Sequence, residues 1–184
     1  MFEALFAAFS LIAVSEFGDR SQVAALLLGA KYHNQHKKVF AGAITAFAAL
    51  FFIAVVLGNV VLAYIPENIL RIFSSLAFIG MGLYIFLQKE EKVKIRKDKK
   101  PFLASFSLIA LSEIGDKTQV AAIILASSFR DPVGTFAGAM IAETLLTGMA
   151  IFAGRLIARR IRMHWIKYVS GVVFVIFGLL TLMQ

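Results

Sequence analysis

Cysteine is absent from the 184 residues, which removes disulfides, thiolate metal sites and cysteine nucleophiles together. Histidine is nearly absent, and none of its three copies falls inside an apolar stretch. Zinc and copper usually recruit His or Cys, so a metal held within the apolar stretches has to be held by oxygen. His33 and His36 form a His-x-x-His among lysines, and His164 stands beside Trp165; the first pair reads as a solvated loop and the last as an interfacial residue. Also missing is a basic segment ahead of the first apolar run, which a charged motif interrupts. That run therefore reads as a retained helix and not as a signal peptide.

What fills the chain is apolar: 60% of residues are hydrophobic and the mean hydropathy is +0.83. This exceeds what a soluble domain needs and places the chain in the lipid bilayer. The formal charge of +8 resides between apolar segments, so it reads as a topology signal and not as a nucleic-acid surface.

Six stretches approach or exceed the roughly 20 residues that a helix needs to cross about 30 Å of hydrocarbon. They run from Ala4 to Ala30, Val39 to Tyr64, Asn68 to Leu87, Phe102 to Ser128, Val133 to Ile157 and Tyr168 to Met183. Fifteen Lys and Arg residues lie in the loops after the first, third and fifth stretches, whereas only Arg71 and Arg130 belong to the other face. The excess of basic residues assigns the first face to the cytoplasm. Both termini are then non-cytoplasmic, as in a bacterial inner-membrane protein.

The chain repeats itself. Residues 9–25 recur as 106–122, Phe40-Ala-Gly-Ala43 matches Phe136-Ala-Gly-Ala139, and Arg71, Ser74, Phe78, Gly82 and Leu83 match Lys167, Ser170, Phe174, Gly178 and Leu179. The expected fold is all-α: six transmembrane helices as two three-helix repeats, residues 1–87 and 102–184, joined by a basic cytoplasmic linker at 88–101. Three is odd, so the second copy starts from the opposite side and the repeats are inverted, an arrangement typical of transporters. The linker reads as a mobile connection or as a lipid-headgroup anchor.

Each repeat places charge inside its first apolar stretch: Glu16-Phe-Gly-Asp-Arg-Ser21 and Glu113-Ile-Gly-Asp-Lys-Thr118. A charge at the centre of a bilayer costs roughly 2.5 to 3.5 kcal/mol even on a lenient scale, so such clusters point to function. On a continuous helix, Glu16, Asp19, Arg20 and Val23 share a face, and Glu113, Asp116, Lys117 and Val120 repeat it. Inverted symmetry brings the two acidic pairs together with an excess of two negative charges, which one divalent cation neutralises. The pairs Glu16 to Arg20 and Glu113 to Lys117 have the i, i+4 spacing that lets an empty site rest on its own bases. Structural ion pairing is the competing account, but locking helices together requires no surplus of acid.

Gly18 and Gly115 permit either close helix approach or a local break that frees carbonyls. Ser21, Gln22, Thr118 and Gln119 offer neutral oxygens within a turn of the acids, as further contacts to an ion or as interhelical hydrogen bonds. Carboxylate and amide oxygens suit Mg²⁺, Ca²⁺ or Mn²⁺. Glu143 breaks the symmetry, since Phe47 occupies the matching position; it reads as a proton carrier or as a neutral hydrogen-bonding acid. Pro66 and Pro132 mark short turns on the outer face.

Both copies fit Glu-x-Gly-Asp-(Lys/Arg)-(Ser/Thr), and the chain resembles the Golgi-type manganese/calcium transporters and their bacterial manganese exporters, within the lysine-exporter superfamily. The resemblance covers all six stretches. It implies a transporter and not an enzyme: export of a divalent cation from the cytoplasm, Mn²⁺ or Ca²⁺, in exchange for protons, with Glu16, Asp19, Glu113 and Asp116 binding the ion. The cation is cargo and no cofactor is implied. The fused repeats make a monomer sufficient. Alternatives are a cation channel with an acidic ring, an amino-acid exporter, and an aspartyl protease using Asp19 and Asp116. Arg20 and Lys117 disfavour the last, because adjacent cations keep both acids ionised.

Overall fold

The computed structural model describes residues 2–64, 66–87, 100–157 and 163–183. Among these the chain is all-helical, with eight helices: α1 (Phe2–Glu16), α2 (Arg20–Lys31), α3 (His36–Tyr64), α4 (Glu67–Leu87), α5 (Pro101–Glu113), α6 (Lys117–Phe129), α7 (Pro132–Ile157) and α8 (Met163–Met183). Most of the linker at 88–101 and the basic run Arg159, Arg160 and Arg162 lie outside the described residues.

Among the described residues three segments are long and apolar enough to cross a membrane, His36–Val60, Asn68–Leu87 and Pro132–Phe152, while Pro101–Glu113 and Gly171–Met183 are shorter apolar helices. The expected first and fourth spans are each divided in two. α1 stops at Glu16 and α5 at Glu113 because Gly18 and Gly115 adopt φ of +75° and +76°, a left-handed geometry open mainly to glycine. After each glycine comes an aspartate in extended conformation, Asp19 and Asp116, at the N-caps of α2 and α6. The Asp19 carboxylate accepts a hydrogen bond from the Arg20 N–H at 2.8 Å. One spacing argument fails at these turns: Glu16 and Asp19 do not share a helix, so the i, i+3, i+4 face does not exist across the break.

The two Pro-marked turns are present. Pro132 opens α7 behind Asp131, whose carboxylate accepts from the Gly134 N–H at 2.9 Å, a fixed φ and a side-chain cap acting together. That hydrogen bond holds the Asp131 carboxyl below its ordinary value.

Packing pairs the halves. α1 lies on α7 as α3 lies on α5, α2 on α7 as α3 on α6, and α4 on α8. The glycines show the same contact made twice with the halves exchanged. A Cβ at Gly42 would strike the Phe102 carbonyl oxygen, and one at Gly138 would strike that of Leu5. Likewise a Cβ at Gly82 would sit 2.6 Å from the Gly171 oxygen, and one at Gly178 would sit 2.8 Å from the Ser75 oxygen. Close backbone approach at small residues is how helices associate where hydrocarbon removes the hydrophobic drive. Within, Leu11, Ile12, Phe47, Phe78, Ile109 and Phe174 form a buried core. Outside, Phe52, Phe73, Leu76 and Leu87 are 62%, 63%, 64% and 82% exposed, an apolar exterior far larger than a water-soluble monomer presents.

Candidate functional site

Both breaks carry their charged residues into one place. Glu16, the last residue of α1, is fully buried, and one oxygen each from Glu16, Asp19 and Asp116 lie within 4.8 Å of one another. Two acids of this trio come from the first motif and one from the second. Glu113 is also buried but stands outside the trio, its carboxylate taking a hydrogen bond from the Thr118 hydroxyl at 3.4 Å. The equivalent bond in the first copy runs from the Ser21 hydroxyl to Glu16 at 2.8 Å. The hydroxyl of each motif therefore orients its own glutamate across the break.

Lys117 sits in the middle. Its ammonium is 3.2 Å from Glu16 and 3.2 Å from Asp116, and it donates to Asp19 as well. The expected pairing of Lys117 with the glutamate four residues earlier is not what forms: among the described residues its acid partners are Glu16, Asp19 and Asp116, two of them from the opposite repeat. Severing the helix at Gly115 removes the i, i+4 register and frees the side chain to reach across. Three carboxylates converging on one ammonium form a set of hard oxygen ligands of the kind that divalent cations prefer.

Gln22 is buried with its amide nitrogen unpartnered, whereas the Gln119 oxygen accepts from the Gly115 N–H at 2.8 Å and so braces the second break. The two glutamines are thus held differently. Arg20, Asp116 and Lys117 line a cleft of about 400 Å³ with Gly80, Met81 and Tyr84 of α4, which connects the cluster to the protein surface. Glu143 on α7 is fully buried, and neither of its oxygens has a hydrogen-bond partner. It lies within electrostatic reach of Glu16, Asp116, Lys117 and Glu113.

The histidine loop is not wholly solvated. His33 is exposed, but the His36 ring lies 3.0 Å from the Gly29 carbonyl oxygen and edge-on to Phe152. Sequence reasoning missed Thr147, buried one turn after Glu143 with its hydroxyl unpartnered; the i+4 spacing was the available signal. It also missed the reach of Lys117 between repeats, for which linear spacing holds no signal.

Comparison with known proteins agrees with the motif. The family model described as "Divalent cation/proton antiporter GDT1" matches residues 4–93 and 101–184. A Vibrio cholerae protein provisionally named a manganese exporter is 31% identical, over 92% of this chain and 86% of its own length. GDT1-like protein 3 of Arabidopsis thaliana is 28% identical over 97% of this chain and 70% of its own, and GDT1-like protein C17G8.08c of Schizosaccharomyces pombe is 22% identical over 95% and 80%. No solved structure matches. The chain belongs to the GDT1 family of divalent cation/proton antiporters, a family of membrane transporters.

Proposed function

We propose that this protein exports a divalent cation, Mn²⁺ foremost and Ca²⁺ as the second candidate, from the cytoplasm in exchange for protons. The observation that carries this reading is the convergence of Glu16, Asp19 and Asp116 from two motif copies on one position, Glu16 buried and the two aspartates partly so. Those three residues with Glu113 bind the ion, Gln22 and Gln119 extend the oxygen set, and Ser21 and Thr118 orient the glutamates. All-oxygen ligation in segments without His or Cys favours a hard cation. Manganese takes precedence because the relative in Vibrio cholerae carries that name.

The fold around the site is read as six spans, α1 with α2 and α5 with α6 each making one broken span, in two inverted repeats at 1–87 and 102–184. Reciprocal contacts at Gly42 and Gly138, and at Gly82 and Gly178, support it. Broken helices at a repeat interface are where secondary transporters hold their ions. The basic loops face the cytoplasm, the termini lie outside it, and the membrane is a bacterial inner membrane. With this orientation the cleft beside Gly80 and Tyr84 belongs to the cytoplasmic half of α4 and admits the ion from that side. One chain holds the whole site.

Transport follows by alternating access. In the empty carrier Lys117 offsets one of the site's negative charges, which lowers the cost of holding the acids in the low-dielectric interior. An arriving cation displaces the ammonium and offsets two of the negative charges, the bundle rocks, and proton uptake on the outer side helps release. Removing one ligand carboxylate without changing its shape tests this: inverted vesicles carrying Glu16→Gln or Glu113→Gln are expected to take up no Mn²⁺ or Ca²⁺. Uptake near wild type in either variant would refute the assignment.

A further inference from the structure

Glu143 takes no part in the site so far described, although it is a fully buried acid in the core beside it. It is fully buried on α7, and among the described residues neither of its oxygens, nor the buried hydroxyl of Thr147 one turn on, has a hydrogen-bond partner. A carboxylate buried without a hydrogen-bond partner costs several kcal/mol, on the order of the penalty for any desolvated ion, unless it is neutral or faces a cation. In the other half the matching residues are Phe47 and Phe51, buried and stacked with ring centroids 6.3 Å apart. Two aromatic packing residues in one repeat are therefore replaced, at the same two positions, by an acid and a hydroxyl in the other. Packing alone does not require that exchange. Nor does binding a metal symmetrically between repeats, since only one repeat has it.

We infer that Glu143 is the proton-carrying group of the exchange cycle, a site for the counter-ion set apart from the carboxylates that hold the metal. The inference rests on the antiport reading above and adds to it a division of labour. The ionisable groups around Glu143 are Glu16 at the end of α1, Glu113 at the end of α5, and Asp116 and Lys117 at the start of α6. α2 carries Arg20 and Lys31 at its two ends, and α3 carries His36, Lys37 and Lys38 in its first turn. Coupling is electrostatic. With a divalent cation among the acids, the added positive charge favours ionised Glu143; with the cation gone, Glu16 and Asp116 disfavour another negative charge, and Glu143 takes a proton on one carboxylate oxygen. The only bond made on loading is that O–H bond, and the same bond breaks on release to the cytoplasm. Metal and proton thus alternate through mutual repulsion without competing for the same atoms.

The test separates metal handling from proton handling. Purified wild type, Glu143→Gln and Glu143→Asp are compared for Mn²⁺ binding by calorimetry. Each is then reconstituted with a proton-sensitive dye for two fluxes: tracer exchange between equal Mn²⁺ concentrations, and proton movement driven by a Mn²⁺ gradient. Glu143→Gln is expected to keep the Mn²⁺ site and tracer exchange while binding Mn²⁺ several-fold more weakly than wild type at high pH, because the coupling of metal and proton is reciprocal, to lose gradient-driven proton movement, and to lose the pH dependence of net transport. Glu143→Asp is expected to keep proton movement with a displaced pH profile. Proton movement at the wild-type level in Glu143→Gln overturns the inference. So does loss of binding and tracer exchange by a folded Gln variant, which would make Glu143 a ligand or a packing group. If the Gln variant does not fold, Glu143→Asp decides alone, and an unchanged pH profile there overturns the inference. Failure of the antiport reading would be distinct, because wild type itself would then move Mn²⁺ without protons, or move none.

Discussion

Lys117 is the residue on which the empty site depends. Its ammonium lies among Glu16, Asp19 and Asp116, the position proposed for the transported cation. It is therefore a tethered competitor, and its removal has a predictable sign. Lys117→Gln is expected to bind Mn²⁺ about tenfold or more tightly in calorimetry, since a unit charge about 4 Å away is worth on the order of 4 kcal/mol at an effective dielectric of about 20. The same variant should return slowly when empty, because three acids would then cross without their counter-charge. Weaker or unchanged binding would show that Lys117 is a support for the ligands and not a rival to the metal. Arg20 in the first copy and Lys117 in the second have the same sequence context, so their roles had to be read from the fold.

At the scale of the element, the two helix breaks set the site. Gly115 has φ of +76° and open space where a side chain would project, while Gly138 packs against the Leu5 backbone. The two glycines should thus respond differently to the same change. Gly115→Ala is expected to cost about 1 to 2 kcal/mol of stability through backbone strain alone. Gly138→Ala should cost about 1 to 3 kcal/mol by forcing α1 and α7 apart. Denaturant or thermal unfolding in detergent measures both, and a Gly138 variant as stable as wild type would contradict the close α1 to α7 contact.

Much at this scale was legible beforehand. α3, α4 and α7 coincide with three predicted spans because their apolar runs are uninterrupted, and the Phe-Ala-Gly-Ala copies marked the two reciprocal close approaches. The division of the first and fourth spans was visible only as an option, since one glycine in an apolar run does not say whether the helix bends, breaks or packs tightly. Once broken, the helical spacing that joined Glu16 to Asp19 and Glu113 to Lys117 lost its meaning. Contacts made between repeats, such as Lys117 to Glu16, depend on the packing of α1 against α6 and α7 and leave no trace in linear spacing.

For the whole molecule the central matter is why a duplicated chain is not perfectly symmetric. The acids and hydroxyls of the motifs are doubled, yet the bridging ammonium comes from Lys117 and the buried lone acid is Glu143, opposite Phe47. An exchanger needs two faces that open in turn, which the proposed inverted repeats supply, and two ions handled differently, which the roles proposed for Lys117 and Glu143 supply. Antiport is accordingly the claim from which the other assignments take their meaning. It is tested most directly by reconstituting the wild-type protein in liposomes that enclose a proton-sensitive dye and imposing a Mn²⁺ gradient across them. The account predicts proton movement opposite to the metal, abolished by Glu113→Gln. Mn²⁺ movement with no accompanying proton movement would contradict it.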